Sequence, residues 1–139
     1  NWIVALIMIG CMGLLIKDWK LDFPALSVQM TAEAIKVQAT GYDNEISLSD
    51  IEYAEVIEEL PGMFKSNGFA NRGYKFGAFY VNDYGQCKVY VQGNQPPFVV
   101  LYLEDEKTVI VNSEKKEETQ ELIQKLEQQG LLKQEVKAD

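Results

Sequence analysis

Histidine is absent from all 139 residues of the chain. That removes the commonest general base, the commonest metal ligand and the usual switch of charge near neutral pH. Arginine occurs once, at Arg72, so bidentate clamping of phosphate is limited to a single side chain. Two cysteines are present, Cys11 in an apolar stretch and Cys87 in a strand-like run. One thiol per region makes an intradomain disulfide unexpected and supplies no zinc spacing. Cys87 is read as a small buried hydrophobe. Positive charge is also scarce: 13 Lys and Arg against 21 Asp and Glu give a net charge of −8. A molecule so acidic repels nucleic acid and anionic lipid as a whole.

The one long apolar run comes first. Trp2 to Ile16 reads WIVALIMIGCMGLLI, without a charge until Lys17. It falls slightly short of the roughly 17–25 residues of a spanning helix. The chain starts at Asn1 without an initiator methionine, and the expectation is that residues upstream have been cut away. Trp19 stands where an interfacial aromatic belongs, flanked by Lys17 and Lys20. We read residues 1–20 as a single-pass membrane anchor, with the lysine flank placing the following domain on the cytoplasmic side. A secretory signal would need a small-residue cleavage site, which Lys-Asp-Trp-Lys does not offer. Met8-Ile9-Gly10-Cys11 faintly resembles a lipobox, but apolar residues continue past the cysteine, where a mature lipoprotein turns polar.

Beyond Pro24 the pattern has period two. Val28, Met30 and Ala32 alternate with Gln29 and Thr31, and Ile35, Val37 and Ala39 alternate with Lys36 and Gln38. A turn at Gly41-Tyr42-Asp43-Asn44 precedes a strand beginning at Ile46. Ile51 to Leu60 has mixed periodicity and is read as a strand, because it runs into Pro61-Gly62. Ser66-Asn67-Gly68 is read as a turn, from its Asn-Gly pair. Tyr74–Val81 and Cys87–Val91 form a hairpin about Asn82-Asp83-Tyr84-Gly85. After the break at Gly93 to Pro97, Phe98–Leu103 and Thr108–Val111 flank the polar turn Glu104-Asp105-Glu106.

Asn112 or Ser113 is positioned to cap a helix that ends at Gly130. Leu122, Ile123 and Leu126 form its narrow apolar stripe, and Glu121 and Lys125 sit four apart on the wet face. Leu131 is expected to close on Leu126 in a Schellman motif. About seven short strands and one helix predict a mainly β barrel or sandwich, with the helix laid over an open end. Residues 21–132 would form this domain and 133–139 a polar tail.

The ordered turns and glycines carry a resemblance. Glu45-Ile46-Ser47-Leu48-Ser49-Asp50-Ile51, Ser66-Asn67-Gly68, Gly73-Tyr74-Lys75-Phe76-Gly77-Ala78-Phe79 and Tyr84-Gly85-Gln86-Cys87-Lys88-Val89-Tyr90-Val91 are four of its segments. Pro97-Phe98-Val99-Val100-Leu101, Val109-Ile110-Val111-Asn112 and the helix from about Glu114 complete it. Over most of 34–129 the chain resembles the bacterial pleckstrin-homology-like (PH-like) domains of small membrane-anchored proteins of Gram-positive bacteria. The resemblance implies two nearly orthogonal antiparallel sheets, seven strands in all, plugged by a C-terminal helix. It implies binding or scaffolding, by itself or with a protein or peptide partner, and no enzymology or cofactor.

The chemistry in the residues themselves is sparse. Arg72 to Phe79 partly matches the aromatic strand of RNA-recognition domains, but Lys75 and Gly77 break it. That fold also needs a helix where another hairpin follows. Asp43, Asn44 and Glu45 lack the alternation of a calcium loop. Gly68 and Gly73 lack the Lys-Ser/Thr of a phosphate loop. From Pro61 to Leu103, Lys65, Arg72, Lys75 and Lys88 face one acid, Asp83, a local charge of +3. These four bases are the candidate ligand or headgroup patch, and an anionic-lipid sensor is the alternative they support. A self-assembling scaffold is the other alternative, with Leu131, Leu132 and open sheet edges meeting a second copy.

Overall fold

The alternation after Pro24 becomes a three-stranded sheet in the computed structural model, which describes residues 25–133. Strands β1 (Leu26–Met30), β2 (Ala34–Ala39) and β3 (Asn44–Ser47) form an antiparallel meander. Leu26, Val28, Met30, Ile35, Val37, Ala39 and Ile46 all turn to one face and are buried, while the alternate residues, the buried Ala34 excepted, meet solvent at least in part. A 3₁₀ turn at Leu48–Asp50 carries the chain into a second sheet.

That sheet has six strands: β4 (Ile51–Ile57), β5 (Met63–Asn71), β6 (Tyr74–Val81), β7 (Gly85–Gln92), β8 (Phe98–Leu103) and β9 (Thr108–Val111). Their order is β4-β8-β9-β7-β6-β5, with β7 and β9 parallel and every other pair antiparallel. Consecutive strands β4 and β5 thus occupy opposite edges. Six flat strands would set these edges about 24 Å apart. The six steps from Ile57 to Met63 reach at most about 21 Å. The sheet must therefore curl, and the short connection closes its mouth without a hydrogen-bonded ladder between β4 and β5.

Two cores follow from this. Phe76, Tyr90, Val99, Leu101, Val109 and Val111 face the three-stranded sheet and pack with its buried residues. Phe79, Val81, Cys87, Val89, Val91, Phe98, Val100 and Ile110 fill the hollow of the curl, where Leu60 of the β4–β5 connection and Met63 at the start of β5 pack on them. Helix α1 (Lys116–Gln128) lies against β1 and β8, with Leu122 and Leu126 buried in the first core.

Two sheets and one C-terminal helix agree with the fold expected. Four details do not. Nine strands replace about seven, and the second sheet curls without closing into a barrel. Ser66-Asn67-Gly68 lies inside β5 and not in a turn: the register slips between Lys65 and Asn67, and Gly68 sits directly opposite Gly77. Neither Asn112 nor Ser113 caps the helix. The cap position is Lys115, without a side-chain bond, while Asn112 serves β7 and the Ser113 N–H donates to Thr119 Oγ1 at 2.8 Å. Leu131 and Leu132 pack within their own chain, on the first core. The helix end matches its expectation. Leu131 N–H donates to Leu126 O and Gly130 N–H to Glu127 O, both at 3.0 Å, with Gly130 at φ 71°.

The anchor assigned to residues 1–20 lies outside the described residues, as do 134–139 of the tail. Among the described residues, no helix is long and apolar enough to cross a membrane.

Candidate functional site

Where β3 ends, the three-stranded sheet stops covering the larger one and leaves a cleft of about 420 Å³. Ligand pockets start near about 300 Å³, so the space suits a small molecule or a short peptide segment. Its floor follows from register. Ala78 of β6 pairs with Lys88 of β7, which pairs with Val109 of β9, so these three share the face that meets β3. Asp50, Leu103, Glu104, Asp105 and Lys107 bound one end. There the Glu104 N–H donates to Asp50 O at 2.9 Å and fixes the β8–β9 turn to the 3₁₀ turn.

The remaining wall is a strand seen edge-on. All four residues of β3 line the cleft. The ladder shows which backbone groups point into it. Leu48 N–H donates to Glu33 O at 3.0 Å, so by antiparallel alternation Ile46 and Asn44 also bond toward β2. Glu45 and Ser47 then direct their backbone groups away from β2. The Glu45 N–H is taken by Asn44 Oδ1 at 2.8 Å, and Asn44 Nδ2 donates to Tyr90 OH at 3.2 Å. The Ser47 carbonyl caps the 3₁₀ turn, so the Glu45 carbonyl and the Ser47 N–H are left on the open side.

The charge of the cleft is uneven. Glu45, Asp50, Glu104 and Asp105 stand against Lys88 and Lys107, a balance of −2 from four acids and two bases. None of the six forms an ion pair with another described residue. Cys87 borders the cleft, but its side chain belongs to the second core, and burial pushes the thiol up to about 11. At neutral pH it is a protonated, shielded thiol and a poor nucleophile.

The four bases of the candidate patch are spread out. Lys65 pairs with Phe79 and Lys75 with Val91, both on the side of the second core. Lys88 is on the opposite face, in the cleft. Arg72 occupies the β5–β6 turn at φ 53°. Lys75 shares a shallow recess with Glu58 and Glu59. The structure therefore brings none of Lys65, Arg72 and Lys75 beside Lys88.

A family model described as a bacterial PH domain matches residues 26–129. The chain belongs to the bacterial PH domain family. No curated protein and no solved structure matches it. The matched span of this bacterial PH domain runs from β1 to the last turn of α1, so it contains both sheets and every wall of the cleft. Sequence reasoning found the hairpins but missed the site. Its one local sign is the polar set Ser47, Ser49 and Asp50 directly after the buried Ile46.

Proposed function

We propose that this bacterial PH domain is a non-catalytic binding module, tethered to the cell membrane by Trp2–Ile16 and facing the cytoplasm. The supporting observation is the cleft beside β3, where a strand edge presents fixed backbone groups next to an apolar floor and unpaired charge. Such a surface holds a ligand by position and needs no reacting group. The lipid-sensor reading draws less support, because Lys75 and Lys88 turn to opposite faces of one sheet.

Two measurements test the proposal. The full chain, screened against ester, amide, glycoside and phosphoester substrates, should give no turnover above buffer. Turnover abolished by Ser47→Ala or Asp50→Asn would end the non-catalytic reading. For tethering, the full chain expressed in bacteria should sediment with membranes and resist carbonate extraction. Deleting residues 2–16 should release it, and a deletion that leaves it sedimenting would end the tethering claim.

A further inference from the structure

The geometry points to an extended peptide with basic side chains as the ligand of this cleft, added as a strand on the free edge of β3. This deepens the binding-module reading and rests on it. Three observations converge. The Glu45 carbonyl and the Ser47 N–H point into the cleft, one acceptor and one donor that a strand at hydrogen-bonding distance would complete. Below that position lie Ala78 and Val109, an apolar track for every second side chain of the incoming strand. Asp50, Glu104 and Asp105 crowd one end against Lys107 alone, so a cationic side chain is favoured there. Lys88 on the floor opposes that preference and sets its limit.

The probe is the capped hexapeptide Lys-Val-Lys-Val-Lys-Val, with Glu-Val-Glu-Val-Glu-Val and an N-methylated Lys-Val version as comparisons. The protein is the full chain in phosphatidylcholine nanodiscs, which carry no net lipid charge. Fluorescence anisotropy should show binding of the lysine peptide, weakening as salt rises. The triple change Asp50→Asn, Glu104→Gln and Asp105→Asn should reduce affinity about tenfold. None of these three side chains makes a hydrogen bond to a described residue, so the fold should persist. Lys88→Glu should instead tighten binding several-fold, an effect misfolding cannot mimic. Hydrogen exchange should slow within residues 44–48 when peptide is present. N-methylation, which removes backbone donors and keeps the charges, should cost at least about tenfold.

Equal binding of the glutamate peptide would overturn the basic preference. Equal binding of the N-methylated peptide, or unchanged exchange in 44–48, would overturn strand addition. No binding by any probe would remove the peptide and leave the module reading, which only turnover would remove as well.

Discussion

Asn112 holds Gln92 through both of its amide atoms, as a neighbouring strand would. The Gln92 N–H donates to Asn112 Oδ1 at 2.7 Å, and Asn112 Nδ2 donates to Gln92 O at 3.0 Å. The same Nδ2 reaches Gln95 O at 2.8 Å, and the Asn112 N–H donates to Tyr90 O at 3.1 Å. The side chain thus extends the β7–β9 ladder one step past Val111 and pins the loop before β8. Asn112 is fully buried, so an apolar replacement strands the Gln92 N–H and carbonyl away from water. Asn112→Leu should cost about 2–4 kcal/mol. Asn112→Asp should cost more at neutral pH, because a carboxylate would face two carbonyls. Urea unfolding, with a lowered midpoint and an unchanged slope, checks both.

Gly68 and Gly77 face each other across β5 and β6 with no room for a side chain on either. A Cβ on Gly77 would come within 2.8 Å of Asn67 O and of Gly68 Cα, at a φ of 115° that side chains avoid. On Gly68 it would run into the Phe76 carbonyl. Gly77→Ala should therefore destabilise by at least about 2 kcal/mol. Gly41→Ala, with φ 80° but open space, should cost only about 1 kcal/mol. Thermal melts of the two variants should preserve that ranking, and equal melts would refute the steric account.

With no histidine in the chain, stability should be nearly flat between about pH 6 and 8. It should fall on the alkaline side. Burial raises Cys87 to about 11 from an ordinary 9.0, and burial likewise raises Tyr74, Tyr84, Tyr90 and Tyr102. Unfolding lets these groups ionise at their ordinary values, so the unfolded state sheds protons first. Their contribution is full below the ordinary pKa of the thiol and is lost as pH climbs through the raised values. Urea midpoints should hold to about pH 9 and then drop through pH 11. Cys87→Ala should flatten the first part of that decline.

The sequence displays whatever depends on near neighbours. The Glu104–Glu106 turn and the helix stop at Gly130 are legible because their chemistry lies within a few residues. Ser66-Asn67-Gly68 misleads because the same residue types serve a different need. Gly68 is required by Gly77 across the ladder, nine positions away, and a bulge absorbs the slip. Asn112 looks like a cap, but its partner Gln92 is 20 residues distant. The cleft is harder still. Its walls come from β3, β6, β7, β9 and the β8–β9 turn, and only the curl of the large sheet brings them together.

Strand β4 is an edge strand that its own chain covers. The Ala54 N–H donates to Leu131 O, and the Lys133 N–H donates to Ala54 O, both at 2.7 Å. Ala54 is fully buried, so both of its backbone groups depend on three residues beyond the helix. Gly130 makes the turn that delivers them. Lys133→Pro removes one donor and should cost about 1–3 kcal/mol. Ending the chain after Gly130 should do more: the Ala54 amide should lose its hydrogen-exchange protection, and an open edge should invite another copy. Light scattering should then show association that grows with concentration in the shortened chain and less of it in the full one. A shortened chain with a protected Ala54 amide and unchanged scattering would show that Leu131–Lys133 is not what shields this edge.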